Sequence, residues 1–379
     1  MLNAHQAFRA VLVAGVAALS LDLAGAGIAV ARPKPAPVQA PPPPPPQVAP
    51  PITLSTQALQ DASAFRAYVK HAEAISAAFT SGDGVEQSLV VGASYEPRQL
   101  SRGAIAYAAL LALQDPTFVA AVKPYALDPA GRHALAQHLA QDPRYIIAFK
   151  GADSAAGLIV ATMGGEMNRM GDVAHQVKQA AYSVQHSAWS KTKVLNPGDR
   201  LAQTKTLSEA LMSPVPDDMA QLKVAMNASS DAQAAQVLAV KGDAIQGPYA
   251  PVVERGLALA AVAILGEAGD DNAATVQALT DEPNDHACLR MSKLNLYQCL
   301  AVAVPWYEDI FCLGEHGLSE TSQCISKESG TTQQIQQAMG LPVTPVVLAA
   351  AAPETPKAKA STKVAKATKR KRHHVTSTN

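Results

Sequence analysis

Residues 114–145 have the sequence QDPTFVAAVKPYALDPAGRHALAQHLAQDPRY, in which an Asp-Pro pair occurs three times. The pairs begin at Asp115, Asp128 and Asp142. An aspartate at the N-cap accepts hydrogen bonds from the free amides of the first helical turn, and proline is favoured at the first helical position. The spacings of 13 and 14 residues between the pairs therefore predict a series of short helices.

The composition extends this prediction to the rest of the folded part. Hydrophobic residues make up 48% of the chain but aromatic residues only 4%, so the apolar mass is mostly alanine, leucine and valine. Alanine is the best helix former, and stretches rich in β-branched and aromatic residues, which are typical of strands, are nearly absent. The predicted fold class is all-α: a multi-helix bundle or irregular helical array with a disulfide-stapled C-terminal helical hairpin, flanked by disordered segments.

Local signals place several elements along the chain. An apolar face predicts a first helix from Phe65 to Phe79, ended by Gly82. Residues 196–199, Asn-Pro-Gly-Asp, predict a turn. Residues 231–241 predict a helix, and residues 256–265, which are apolar on every side, predict the most buried helix.

The N-terminus predicts export from the cytoplasm. Residues 10–21 are apolar, and Asp22 ends that run. Small residues follow at the spacing that signal peptidase requires, with cleavage after Ala26 or, as we prefer, after Ala31. Residues 1–31 are therefore expected to be a signal peptide. The alternative is an uncleaved membrane anchor, which would place Asp22 in the bilayer at a cost of about 2.5–3.5 kcal/mol.

Two segments flank the predicted helical domain of residues 53–340. Residues 32–52 form a proline-rich linker, in which Pro41–Pro46 predict a stiff polyproline II spacer. Residues 341–379 form an Ala/Lys-rich tail that is expected to be disordered. From Pro353 onward the tail holds eight basic residues and one acidic residue, which leaves 23 basic and 30 acidic residues, a formal charge of −7, for the rest.

The basic end of the tail suggests a partner. Its most basic run is Lys369, Arg370, Lys371 and Arg372. A polybasic run gains about 1 kcal/mol per residue near an anionic surface. Outside the cytoplasm that surface would be an anionic surface of the envelope, and no specific nucleic acid is expected. A tail that only keeps the protein in solution is the alternative.

The most specific feature of the sequence is its set of four cysteines, Cys288, Cys299, Cys312 and Cys324. Their successive spacings are 11, 13 and 12 residues. These spacings fit no zinc site, because zinc ligands come in pairs about two to four residues apart. In an oxidising compartment, four clustered cysteines predict two structural disulfides.

The pairing follows in part from helix geometry. Cys288 and Cys299 would share a face of one helix about 16 Å apart, so they could not pair with each other. A hairpin folded back at Pro305 would pair Cys299 with Cys312 and Cys288 with Cys324. Glycines in the second arm would, if they broke it, let Cys312 pair with Cys324 instead. The nested pairing is favoured.

Two further clusters offer ligand chemistry or acid–base chemistry. Met163, Met167 and Met170 fall on one helical stripe near His175 and His186, and thioether and imidazole groups bind copper(I). The simpler interpretation, which we favour, is that these methionines pack in the core.

Glu166 and His175 form the second cluster. A carboxylate beside a histidine can serve as acid and base. No nucleophile elbow or second catalytic carboxylate accompanies them, so the sequence assigns no catalytic, cofactor-binding or metal-binding residue.

Four short blocks carry a resemblance to other proteins. Residues 102–110 (RGAIAYAAL) run into residues 114–119 (QDPTFV), and residues 295–300 (NLYQCL) precede residues 307–314 (YEDIFCLG). Together with the stretch from Gly164 to Lys191, these blocks resemble a group of exported helical proteins of alphaproteobacteria with no assigned activity. The resemblance implies a bacterial envelope setting and one folding unit, but it supplies no functional residues.

These features favour an exported envelope protein, periplasmic or secreted, that acts as a non-enzymatic binding or structural module. An enzyme acting on a cell-envelope polymer through Glu166 and His175 is the first alternative. A periplasmic copper-binding protein is the second. Attachment to the membrane by an uncleaved signal is the alternative localisation.

Overall fold

A computed structural model describes residues 48–227, 238, 241–281 and 285–331. The predicted signal peptide, residues 32–47 of the predicted linker and the basic tail lie outside these residues. So does the predicted helix of residues 231–241, apart from residues 238 and 241. Over the described ranges the chain is all-α with no β-strand, as predicted.

Thirteen α-helices fall within the described ranges. They are α1 (Thr56–Glu73), α2 (Gly82–Ala93), α3 (Pro97–Ala112), α4 (Pro116–Val122), α5 (Pro129–Gln141), α6 (Ala152–Val184), α7 (Pro197–Glu209), α8 (Pro216–Met226), α9 (Pro251–Ile264), α10 (Ala273–Thr280), α11 (Asp285–Val302), α12 (Trp306–Cys312) and α13 (Glu320–Ser329). Short 3₁₀ helices occupy Lys123–Ala126, Pro143–Ala148 and Asp270–Asn272, and a π-helical segment occupies Leu313–Ser319.

The Asp-Pro pairs start helices as predicted. The Asp115 carboxylate accepts from the Phe118 amide at 2.7 Å and caps α4. Asp128 accepts from the Gly131 amide at 3.0 Å and caps α5. Asp142 starts a 3₁₀ helix instead of an α-helix.

Two local predictions were wrong. Residues 196–199 start α7 instead of forming a turn, because Pro197 occupies the first helical position and Asp199 lies in the positively polarised first turn. The first helix, α1, ends at Glu73, so Phe79 lies in the following loop. Gly82 begins α2, because the Ser81 hydroxyl accepts from the Gly84 amide and caps that helix.

The core is built around α1, α3 and α9. Each residue from Gly256 to Leu265 is buried, as predicted for this segment. Small residues let these helices approach closely: a Cβ on Gly103 of α3 would overlap the Asp61 carbonyl oxygen of α1, and a Cβ on Gly256 of α9 would lie 2.5 Å from the Ala108 Cβ. Small side chains therefore allow the backbones of α1, α3 and α9 to approach each other closely.

The C-terminal hairpin has the predicted nested bridges. Cys288 pairs with Cys324 and Cys299 pairs with Cys312, each with a Cα–Cα distance of 5.7 Å. The two glycines of the second arm, at positions 314 and 317, do not break it, because the π-helical segment carries the chain continuously from α12 into α13. Gly314 also gives α6 room to approach, since a Cβ there would lie 2.7 Å from the Lys178 amide nitrogen.

In the described part of the chain, no single helix has the length and apolarity needed to cross a membrane. The helix pair Pro97–Ala112 and Pro116–Ala126 meets that test only when taken together, across a 91° bend.

Candidate functional site

A pocket of 540 Å³ opens where the N-terminus of α3, the C-terminus of α7 and the middle of α11 meet. We call it the Lys293 pocket. Its lining residues are Glu96, Pro97, Arg98, Ser208, Glu209, Arg290, Lys293, Leu294 and Tyr297. Its volume is in the range of small-molecule sites, about 300–1,000 Å³, and most of its lining side chains are polar or charged.

Lys293 is the unusual residue of this pocket because it is only 4% exposed. Its Nζ donates to the carbonyl oxygen of Ala93, the last residue of α2, at 2.6 Å, and lies 3.3 Å from the centre of the Tyr95 ring. The structure records no carboxylate paired with it over the described ranges. Burial lowers the pKa of Lys293 well below its usual value.

Ser208 lies beside Lys293 on the α7 side of the pocket. Its hydroxyl oxygen lies within hydrogen-bond distance of two carbonyl oxygens, those of Ala93 at 3.2 Å and Thr204 at 2.8 Å. The Ser208 hydroxyl and the Lys293 amine therefore share the Ala93 carbonyl.

The rim of the pocket carries charges of both signs. Arg98 and Arg290 are exposed, and neither has an ion-pair partner among the residues that the structure describes. Glu96 is already engaged, because its two carboxylate oxygens accept from the Arg98 and Gln99 amides and cap α3. Glu209 is exposed. The rim thus carries two guanidinium groups without an ion-pair partner among the described residues, and a guanidinium group can donate two hydrogen bonds to two oxygens of a carboxylate or phosphate.

A hydrogen-bond network fixes the Tyr95 ring beside the Lys293 amine. The Tyr95 hydroxyl is 2.9 Å from the Thr321 hydroxyl of α13, which lies 3.0 Å from the Ser292 hydroxyl. Ser292 also donates to the carbonyl of His316 in the π-helical segment at 2.6 Å. Burial raises the pKa of Tyr95 to about 12, so this phenol remains a neutral donor. The disulfide-bridged hairpin therefore supports the inner side of the pocket.

A buried ion pair holds α7 against the same hairpin. Arg200 of α7 places its Nη1 2.5 and 2.6 Å from the two carboxylate oxygens of Asp309 in α12. The other terminal nitrogen donates to the Leu300 carbonyl, and both charged side chains are almost fully buried. Burial raises the pKa of Asp309 to about 6, although Arg200 acts to lower it. This pair positions the helix that carries Ser208.

Glu166 belongs to a different cluster, which links α6 to α3. The Tyr107 hydroxyl donates to Glu166 Oε1 at 2.9 Å, while Oε2 is buried without a recorded hydrogen-bond partner over the described ranges. Burial raises the pKa of Glu166 to about 7, although the Tyr107 hydrogen bond acts to lower it. Glu73, paired with Arg169 at 3.2 Å, raises the pKa of Glu166 further.

The structure does not bring Glu166 and His175 together. His175 is exposed and lies nine residues further along α6, about 13.5 Å by helical rise. The second carboxylate near Glu166 is Glu73, which comes from α1 and has no sequence signal that links it to Glu166.

The methionine stripe lies in the core. Met163, Met167 and Met170 are fully buried among apolar side chains, whereas His175 and His186 are exposed. The structure therefore confirms the packing interpretation of these methionines. Over the described ranges no group of three or more His, Cys, Asp or Glu residues is arranged to hold a metal ion.

A second pocket, of 420 Å³, lies beside the Cys299–Cys312 bridge. Tyr182, Val302 and Phe311 make its lining largely apolar. Its acidic residue, Glu308, is engaged, because Oε2 accepts from the Val304 amide at 2.9 Å. This pocket supplies apolar contact but few groups that could orient a ligand, so the Lys293 pocket is the better candidate site.

Sequence reasoning missed Lys293, although a signal was present. Leu289, Leu296 and Leu300 are buried on one face of α11, and Lys293 lies four residues after the first and three before the second. A lysine in register with a buried leucine stripe is a candidate buried amine. Arg98 and Ser208 had no such signal, because their helices meet α11 only in the tertiary structure.

No protein-family profile, no curated protein and no solved structure matches this chain. The geometry of its own residues is therefore the basis for a functional proposal.

Proposed function

We propose that this protein is a non-enzymatic binding module outside the cytoplasm, and that its ligand is a small anionic molecule held in the Lys293 pocket. The observation that supports the proposal is the pair of free guanidinium groups, Arg98 and Arg290, at the rim of a 540 Å³ cavity. Hydrogen bonds between charged groups are worth about 1.5–3 kcal/mol each, and arginine binds carboxylates with two parallel bonds.

Contacts outside the pocket hold two of the structural elements around it in place. The Arg200–Asp309 pair holds α7, and the network from Tyr95 to Thr321 holds the Tyr95 ring. Because these contacts already fix α7 and the Tyr95 ring, little ordering of that part of the protein is needed when a ligand binds.

The cysteine pairs indicate an oxidising, extracytoplasmic environment. Within it, we place the protein in the periplasm or among secreted proteins of a bacterial envelope, after removal of residues 1–31. N-terminal sequencing of the exported protein should give Arg32 as the first residue. A start at Met1 in membrane fractions would support the uncleaved anchor instead.

The basic tail gives the module a second contact. We propose that Lys369, Arg370, Lys371 and Arg372, which lie outside the described residues, bind an anionic surface of the envelope. Removal of residues 353–379 should release the protein from envelope fractions at moderate salt. Identical fractionation of the two forms would refute this contact.

Calorimetric titration with lactate, pyruvate and phosphate tests the pocket. The full chain should show saturable binding of at least one of these anions at low ionic strength. Arg98→Gln and Arg290→Gln should each weaken it about tenfold or more, as loss of a charged hydrogen bond predicts.

The matched control is Lys150→Gln with Lys191→Gln, which removes two exposed positive charges that do not line the pocket. This control should leave the affinity unchanged. Equal losses in the control and the arginine variants would show general charge attraction, and no saturable binding of any probe would also overturn the proposal.

A further inference from the structure

Lys293, Arg98 and Arg290 line one cavity, and neither arginine has an ion-pair partner among the described residues. In most proteins a buried lysine is paired with a carboxylate. Here the recorded partners of the amine are one backbone carbonyl, that of Ala93, and the face of the Tyr95 ring. Among the residues that the structure describes, no acidic side chain is paired with this amine.

Ser208 lies where its hydroxyl can replace the Lys293 amine as the hydrogen-bond donor to the Ala93 carbonyl. The Ser208 hydroxyl lies 3.2 Å from the Ala93 carbonyl oxygen. When the amine turns into the cavity, that carbonyl can keep a hydrogen-bond donor, so no buried acceptor is orphaned. The lysine side chain has a flexible four-carbon stem, and Lys293 already forms part of the cavity lining.

We propose that Lys293 forms a reversible imine with a small oxo acid, whose carboxylate is held by Arg98 and Arg290. This inference rests on the proposed function, because it names the ligand class of the same pocket. A neutral primary amine is the nucleophile that attacks a carbonyl carbon. Burial, with no carboxylate paired to the amine among the described residues, lowers the pKa of Lys293 and so shifts it towards that form.

The chemistry balances without an added reagent. The nitrogen lone pair forms a bond to the carbonyl carbon and gives a carbinolamine. The carbonyl oxygen then leaves as water with the two hydrogens that the amine has lost, and a C=N bond remains. Hydrolysis by water returns the free lysine and the oxo acid, so the ligand is bound reversibly.

Borohydride trapping of the full chain with pyruvate tests this inference. Reduction of the imine should add one carboxyethyl group per chain, and peptide mapping should place it on Lys293. The nearest control is Lys205 of α7, an exposed lysine whose Nζ lies 5.8 Å from the Tyr297 ring centre. At pH 7, Lys293 should be labelled about tenfold faster or more than Lys205, because burial lowers the pKa of the Lys293 amine.

Two comparisons define the ligand class. Arg98→Gln with Arg290→Gln should reduce labelling at low pyruvate concentration about tenfold or more. Acetone, which has the ketone without the carboxylate, should label Lys293 poorly. Equal labelling by acetone and pyruvate would overturn the oxo-acid assignment.

The outcomes separate this inference from the proposed function. Saturable lactate binding together with no adduct on Lys293 would overturn the imine and leave the binding function intact. Labels spread evenly over exposed lysines would overturn the imine as well. The wild-type peptide map decides both cases, so the test needs no substitution of the buried Lys293 side chain.

Discussion

The two disulfides allow a quantitative prediction about the stability of the C-terminal hairpin. The perturbation is the removal of each bridge separately, by Cys288→Ala with Cys324→Ala and by Cys299→Ala with Cys312→Ala. Alanine is preferred to serine because Cys312 and Cys324 are 1% and 4% exposed, and a hydroxyl there would need a new partner.

Loop-closure entropy gives the magnitude. For the Cys299–Cys312 bridge, with a separation of 13 residues, the loss is about 2.9 kcal/mol at 25 °C. The Cys288–Cys324 bridge spans 36 residues, but the inner bridge shortens the closed path to roughly 24, so its loss is about 3.4 kcal/mol. Loss of both bridges then removes about 6 kcal/mol, which is comparable to the whole stability of many domains.

Urea unfolding followed by far-UV circular dichroism measures these losses. The wild-type protein under a phosphine reductant is the matched control, because it loses the cross-links but keeps the sulfur atoms and their packing. Any extra loss in the alanine variants is then due to packing and not to chain entropy.

Two results would refute the reasoning. A loss below about 1 kcal/mol for either pair would mean that the bridge does not restrict the unfolded chain as the loop lengths require. A disulfide-linked peptide that joins Cys312 to Cys324 in the oxidised protein would mean that the hairpin is not nested.

Three further predictions concern buried groups. Burial raises the pKa of Glu166 to about 7, so the folded state holds this proton more tightly than the unfolded state does, and the free energy of unfolding should fall as pH rises from about 4.5 to 7. In urea titrations at pH 5 and 8, Glu166→Gln should reduce that fall. An equal fall in the wild type and the variant would contradict the raised pKa of Glu166. Arg200→Met should cost about 3–5 kcal/mol because it leaves Asp309 buried without its cation, whereas the double variant with Asp309→Leu should regain most of that loss. Denaturant midpoints that fall further in the double variant than in the single one would argue against this account. Gly103→Ala should destabilise the protein by about 1–3 kcal/mol, because the new Cβ would overlap the α1 backbone. Gly198→Ala, which has nothing within 4 Å of its Cβ position, should stabilise the protein by up to about 1 kcal/mol. Equal melting temperatures of the two variants would count against the close packing of α1 and α3.

The observed starts of the helices show which of them local sequence patterns predict. Asp115 and Asp128 capped helices as predicted, because a cap depends only on the next few residues. Residues 196–199 misled the prediction, since Pro and Gly are typical of turns, yet the same Pro also suits the first position of a helix. Asp199 in the first turn also favours the helix, and the buried Arg200–Asp309 pair, a tertiary contact, holds α7 in place.

The surroundings of Glu166 show more clearly what local sequence patterns cannot predict. The sequence singled out Glu166 and His175, which are close along the chain, but the helix separates them and leaves His175 exposed. The acidic residue that raises the pKa of Glu166 is Glu73, 93 positions earlier. Desolvation, which raises the pKa of Glu166, depends on what packs over it and has no signature in the local sequence.

The sequence by itself determined the helical class and the cysteine framework. Helix periodicity, caps and alanine content act within a few residues, and the 11-residue spacing of Cys288 and Cys299 restricts pairing by the geometry of one helix. The tertiary structure alone decided the Lys293 pocket, because its walls bring together Arg98, Ser208 and Lys293 from three helices far apart in the chain. The burial of Lys293 without a carboxylate partner among the described residues is a property of that packing, and it lowers the pKa of the amine well below its usual value.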